Sequence, residues 1–179
     1  MNQAAIKNRI TEMTGTAYPI IQAPMGWIAR AQLASAVSNA GGMGIIETSS
    51  GELDNIKGEV AKMRELTDKP FGMNVALSYV KGSNIVDFVI DQGIKFVTTS
   101  SGSPAVCTDA FQAAGIKVFH VIPTLDMAIK ALDAGVDGLI VEGGEGGGFK
   151  NPSPVSTMVL LPMIRAYTDV PIIAAGGIC

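Results

Sequence analysis

The chain has few charged residues, a single histidine, a single tryptophan and only two cysteines among its 179 residues. Its 13 lysines and arginines against 16 aspartates and glutamates form no basic cluster, so no nucleic-acid partner is expected. No apolar run reaches the roughly 18 residues that cross a bilayer, so no membrane partner is expected either. Cys107 and Cys179 have neither metal-ligand spacing nor a disulfide framework, and no signal peptide is visible. These absences predict a protein of the reducing cytoplasm.

Apolar residues are abundant, at 47% of the chain, whereas charged residues make up only 16%. This balance is typical of an α/β fold whose strands are buried on both faces. The length suits one domain with a sizeable core. We therefore expect a single α/β domain over residues 1–179.

Short apolar runs alternate with amphipathic helical segments along the chain. Several helical segments end at a glycine, as at Gly41, Gly93, Gly115 and Gly135. Parallel strands connected by helices follow, because a parallel connection needs a long crossover. The predicted strands are residues 20–23, 43–47, 71–77, 96–99, 117–122, 138–141 and 171–177.

Two architectures fit this alternation, a TIM-type (β/α)₈ barrel and an open doubly wound sheet. The barrel is favoured, because polar or glycine-rich loops follow nearly every strand instead of one switch point. The sequence supplies no eighth unit, and so the expected fold is a (β/α)₈ barrel truncated after the seventh strand. Such a barrel has two unpaired sheet edges, which predict self-association as a homo-oligomer.

Residues 143–148 contain five glycines in six positions, directly after a predicted buried strand. Glycine has no Cβ, and so a ligand can lie against such a loop's backbone. The alternative is a flexible surface turn, which needs fewer glycines. The spacing matches neither a Rossmann fingerprint nor a Walker loop. A second pair, Gly176 and Gly177, follows the last predicted strand, where barrels often bind phosphate.

Short motifs in the right order resemble the FMN-dependent nitronate monooxygenases, formerly called 2-nitropropane dioxygenases. The same superfamily includes flavin-dependent enoyl-ACP reductases and NADH:quinone reductases. The resemblance covers nearly the whole chain and specifies the superfamily, not the substrate. The motifs lie at residues 8–13, 18–26, 40–44, 71–74, 99–104, 134–137, 142–148 and 174–178.

The resemblance implies an FMN bound over the carboxyl ends of the strands. Met25 and Gly26 would contact the isoalloxazine ring, and Asn74 would place its amide beside that ring. Residues 147–148 would lie near the ribityl chain, and the backbone of residues 176–178 would bind the phosphate. The family completes its phosphate site with a loop after the eighth strand. The implied cofactor-binding residues are Met25, Gly26, Asn74, His120, Gly147, Gly148, Gly176, Gly177 and Ile178.

One position departs from the family pattern. Phe149 stands where the monooxygenases and enoyl reductases carry a histidine, the base that removes the α proton of neutral nitroalkanes. Phenylalanine cannot accept a proton, whereas a nitronate is already deprotonated. The only histidine, His120, is the catalytic candidate, either reaching the flavin or donating a proton. The alternative is a core histidine with a hydrogen-bonded ring.

The predicted function is FMN-dependent oxidation of alkyl nitronates by O₂. The first alternative is a reductase that uses NAD(P)H to reduce an enoyl thioester or a quinone. The second is a catalytically degenerate fragment that needs a partner chain. Glu142 and Glu145 lack further ligands at metal spacing, so no metal is expected. Trp27 either forms a wall of the substrate pocket or anchors surface loops.

Overall fold

The computed structural model describes residues 6–49, 53–79, 84–148 and 151–178. Within these ranges helices and strands alternate, and a short 3₁₀ turn covers Pro104–Val106. The strands are β1 Gly44–Ile46, β2 Phe71–Ala76, β3 Phe96–Ser100, β4 Lys117–Ile122, β5 Gly138–Glu142 and β6 Ile172–Ala175. The helices are α1 Arg9–Thr14, α2 Ala31–Asn39, α3 Leu53–Leu66, α4 Ile85–Asp91, α5 Thr108–Ala113, α6 Leu125–Asp133 and α7 Thr157–Tyr167.

The strands form one parallel sheet in the order β1-β2-β3-β4-β5-β6. A helix connects each strand to the next, and the sheet curls into an incomplete barrel. The predicted α/β, TIM-type architecture is therefore confirmed. The longest described helix, α3, has 14 residues, and no described helix could cross a bilayer.

The first predicted strand, residues 20–23, is shorter than expected. Only Ile21 pairs with the sheet, through an isolated parallel bridge to Met43 beside β1. Pro19 and Pro24 flank this stretch, and proline has no N–H to extend a ladder of hydrogen bonds. Seven strands were predicted, and the described residues form six strands and one isolated bridge.

Two apolar clusters lie on opposite faces of the sheet. The outer cluster lies between sheet and helices and includes Val118 and Ile122 of β4. The inner cluster fills the concave face, where the rings of Phe96 and Phe119 have centroids 5.2 Å apart. Gly138 makes room for Phe119, because a Cβ there would lie 2.2 Å from its ring. The packed inner cluster fixes the strands relative to one another, and so it fixes the positions of the polar residues at their carboxyl ends.

Candidate functional site

A large open cavity of about 1430 Å³ lies at the carboxyl ends of the strands. Ligand sites usually enclose about 300–1,000 Å³, so this one has room for a cofactor and a substrate together. Its walls come from the loops that follow the strands, at residues 22–28, 100–104, 142–148 and 173–178. Parallel strands present their carboxyl ends at one edge, which explains why distant segments meet here.

All nine residues that the sequence nominated for cofactor binding line this one cavity. Three segments bring most of them together: the turn at residues 25–26, the glycine loop at 147–148 and the end of β6 at 176–178. Their contacts to a cofactor stay predictions. Phe149 and Cys179 lie outside the described residues.

Asn74 is buried on the inner face of β2. Its Nδ2 donates to Thr98 Oγ1 at 3.0 Å and lies 3.4 Å from Ser100 Oγ. Both hydroxyls belong to β3, so the amide nitrogen is committed to the neighbouring strand. The carbonyl oxygen Oδ1 is then the part of the amide that remains for a ligand.

His120 is placed differently from Asn74. Its neighbours Val118 and Ile122 belong to the outer cluster, and side chains alternate along a strand, so its ring points toward the helix layer. Nδ1 lies 2.7 Å from Thr99 Oγ1, its register partner on β3. Burial lowers the pKa of His120 to about 4, although the contact with Thr99 opposes this shift. This environment matches the core-histidine alternative, while the residue also lines the cavity.

The glycines of the loop at residues 143–148 fall into two groups. A Cβ on Gly143 would lie 2.1 Å from Thr157 Oγ1, and one on Gly146 would lie 2.4 Å from Glu142 Oε1. These glycines are required by the packing of the loop itself. Gly147 and Gly148 have no such neighbour within 4 Å, so their backbone is open to a ligand. The sequence pattern alone could not separate the two groups.

Glu145 ties this loop to α7. Its carboxylate accepts hydrogen bonds from Ser156 Oγ at 2.6 Å and from Thr157 N at 2.8 Å. Thr157 Oγ1 in turn donates to Gly176 O at 2.8 Å, which joins the loop to the end of β6. The hydrogen bond from Ser156, followed by that from Thr157 N, lowers the pKa of Glu145 to about 2. Sequence reasoning considered Glu145 as a possible metal ligand and missed this connection.

Two further residues were missed by sequence reasoning. Gln22 donates from Nε2 to Ile45 O at 2.9 Å, while its buried Oε1 has no hydrogen bond partner among the described residues. Gln22 lines the cavity, so this oxygen is suited to a ligand N–H. Glu47 is buried at the end of β1 and accepts a hydrogen bond from Ser49 N at 2.8 Å. The sequence feature that could have revealed Glu47 is a carboxylate placed directly after an apolar strand.

Other reactive groups are less suited to chemistry. Burial raises the pKa of the Cys107 thiol to about 11, so it stays protonated at neutral pH and is a poor nucleophile. In the part of the chain that the structure describes, no group of three or more His, Cys, Asp or Glu side chains could hold a metal ion.

The chain is similar to known proteins over nearly its whole length. The nitronate monooxygenase family model matches residues 7–179. The (3aS,4S,5R,7aS)-5-hydroxy-7a-methyl-1-oxo-octahydro-1H-indene-4-carboxyl-CoA dehydrogenase of Mycobacterium tuberculosis is 35% identical over 96% of this chain and 49% of its own. A probable nitronate monooxygenase of Staphylococcus aureus is 29% identical over 96% of this chain and 61% of its own.

The fold also matches a solved structure closely. The structure of FabK from Thermotoga maritima has a TM-score of 0.91 and 33% identity, covering 97% of this chain and 55% of that protein. The chain therefore spans between 49% and 61% of the length of these three proteins.

Proposed function

Because this chain belongs to the nitronate monooxygenase family, we propose that it acts as an FMN-dependent oxidoreductase that oxidises alkyl nitronates with O₂. One observation carries the proposal: the nine residues nominated for FMN all line one cavity at the carboxyl ends of parallel strands. Brought together from separate loops, they form a site in the position that barrel enzymes use.

The residues of the cavity fit FMN in three respects. The buried Gln22 Oε1 offers an acceptor to an N–H group of a flat ring. The open backbone of Gly147 and Gly148 allows a chain to lie against it. Gly176 and Gly177, with φ of 91° and 72°, form a bend after β6 that suits a phosphate.

Bound FMN would supply the electron-accepting ring for this reaction. The protein's own residues bind and orient. Asn74 holds a fixed amide on the inner face, and Glu145 holds the glycine loop against α7. His120 is neutral at neutral pH, so it brings no cationic charge to the site. A nitronate arrives already deprotonated, and so its oxidation does not require a base from these side chains.

A second candidate is an NAD(P)H-dependent reductase that acts on an enoyl thioester or a quinone. Two observations favour it. The relative named as a carboxyl-CoA dehydrogenase and FabK are 35% and 33% identical, against 29% for the probable nitronate monooxygenase. The cavity, at about 1430 Å³, is also larger than a small nitronate needs beside a flavin.

The first experiment is a visible absorption spectrum of the purified chain with added FMN, recorded after gel filtration. A retained flavin band supports the proposal, and O₂ uptake with a nitronate then separates it from NAD(P)H oxidation with an enoyl thioester or quinone. A chain that is folded by circular dichroism but retains no flavin would overturn both enzymatic proposals. It would favour the third interpretation, a degenerate fragment that needs a partner chain.

A further inference from the structure

Trp27 has an unusual backbone at the rim of the cavity. Its φ is 62°, in the left-handed region that bulky side chains rarely adopt. Its side chain is 75% exposed and lines the cavity beside Met25 and Gly26. A left-handed residue of this kind is strained and persists only where its surroundings hold it. Because this backbone conformation of Trp27 is strained, its presence at the rim of the cavity points to a functional role.

Glu47 holds Trp27 in this conformation. Its carboxylate is only 1% exposed, and Oε1 accepts from Trp27 N at 3.3 Å. The same oxygen lies 3.3 Å from Arg30 Nε. Arg30 Cζ lies 5.2 Å from the centroid of the Trp27 ring, so the guanidinium links the carboxylate to the indole. The carboxylate of Glu47 therefore holds the backbone of Trp27 directly and its ring through Arg30.

The hydrogen bonds require both oxygens of a carboxylate. Oε2 accepts from Ser49 N at 2.8 Å and from Ser49 Oγ at 2.9 Å, while Oε1 faces Trp27 N and Arg30 Nε. A glutamine has one acceptor oxygen and one donor NH₂ group. An NH₂ group in the place of Oε1 would face the donors Trp27 N and Arg30 Nε, and one in the place of Oε2 would face the donor Ser49 N. Glutamine therefore has nearly the same shape but cannot replace Glu47.

The turn that carries Trp27 also carries two of the nominated flavin residues. Ala29 N donates to Met25 O at 2.7 Å, and Glu47 N donates to Ala29 O at 3.1 Å. Ser49 Oγ lies 3.8 Å from where a Cβ on Gly26 would stand. Glu47 therefore holds the turn at residues 25–27 through both its backbone and its side chain.

We infer that Trp27 is a specificity-determining wall of the substrate site and that Glu47 is its positioning residue. The inference rests on the proposed function, since it assigns substrate contact to the same cavity. Glu47 acts through the turn at residues 25–29 and touches no reacting atom. Loss of the Glu47 carboxylate should therefore change KM for the substrate more than it changes kcat.

The single tryptophan of the chain makes the positioning directly measurable without cofactor or substrate. In flavin-free Glu47→Gln protein, we expect lower Trp27 fluorescence anisotropy and stronger quenching by acrylamide than in the wild type. Glu65→Gln is the matched control, because Glu65 is exposed on α3 and its substitution removes the same charge. Unchanged anisotropy and quenching in Glu47→Gln would overturn the role of Glu47.

The substrate wall is tested by kinetics with saturating FMN. We expect Trp27→Gly to raise KM about tenfold while kcat stays within about threefold. Glycine adopts a φ of 62° without strain, so this variant keeps or gains thermal stability and does not depend on Glu47→Gln folding. Trp27→Phe, which keeps a flat ring, restores most of the lost affinity. An unchanged KM in Trp27→Gly would overturn the assignment of Trp27 as a wall of the substrate site.

Failure of the proposed function is recognised separately. A wild-type chain that retains no flavin refutes the function, and with it the assignment of the wall. The fluorescence comparison still decides whether Glu47 positions Trp27.

Discussion

At the scale of single residues, the strongest pH effect is expected at His120. Its pKa is about 4 in the folded chain, against an ordinary value near 6.5, because the ring is buried beside Thr99. Between these values the unfolded chain binds a proton that the folded chain does not, so the free energy of unfolding falls as pH falls. Between pH 7 and pH 5 the expected loss is about 2 kcal/mol.

Urea unfolding at the two pH values measures this loss, and His120→Gln should reduce it. Because the sequence has one histidine, the ring resonances in NMR spectra are assigned without ambiguity. A His120 ring that titrates near pH 6.5 in the folded protein would contradict the prediction.

Sequence reasoning nominated residues of the site well but not the directions of their side chains. It named His120 from its strand, yet alternation along a strand gives two faces and does not say which is concave. Glu47 lay in a predicted strand, but the donors that surround it come from residues that only the fold brings near, such as Trp27. Long-range contacts of this kind leave no periodic signal in a sequence.

At the scale of secondary structure elements, two glycines should respond oppositely to alanine. Gly138→Ala places a Cβ 2.2 Å from the Phe119 ring in the inner cluster, and this overpacking should cost about 1–3 kcal/mol of stability. Gly58 lies exposed on α3 with no heavy atom within 4 Å of the added Cβ. Gly58→Ala should therefore stabilise the protein by about 0.5–1 kcal/mol, because glycine disfavours helices. Chemical denaturation of both variants measures the difference, and equal effects would refute it.

The first turn of α7 depends on Glu145. Glu145→Ala removes both carboxylate oxygens, of which Oε1 accepts from Ser156 Oγ and Oε2 accepts from Thr157 N. We expect faster amide hydrogen exchange at Thr157 and weaker FMN retention, because the turn no longer holds the glycine loop. The contribution of Glu145 to stability is present above pH 4.5, its ordinary pKa, and is lost as pH falls toward 2. Glu65→Ala, at an exposed position of α3, is the control, and unchanged exchange at Thr157 in Glu145→Ala would refute the role.

Element boundaries could be predicted where local signals were strong. Lys117–Ile122 was predicted with the bounds it has in the structure, because its apolar run lies between Gly115 and Pro123. Residues 20–23 were predicted as a strand from the same kind of apolar run. There, the flanking prolines limit pairing to one bridge at Ile21, which composition alone does not reveal.

At the scale of the whole molecule, β6 and α7 present a partly apolar surface. All four side chains of β6 are partly exposed, and Met158 of α7 is 82% exposed. Val159 and Tyr167 are exposed on the same helix. We expect concentration-dependent self-association of the 18.5 kDa chain in sedimentation velocity, since such surfaces associate in water. Val159→Lys should shift the distribution toward the monomer, and a wild type that stays monomeric at high concentration would contradict this.

The order of the strands has a consequence for the way the protein is made. Each strand of the sheet pairs with the one that leaves the ribosome just before it, so the sheet can grow in one direction during translation. Among the described side-chain hydrogen bonds, the one that spans the most sequence begins at Arg9 of α1. Its Nη1 donates to Asp169 O at 2.7 Å, across 160 positions. This late contact joins α1 to the segment before β6, so α1 acquires it only when synthesis has passed Asp169.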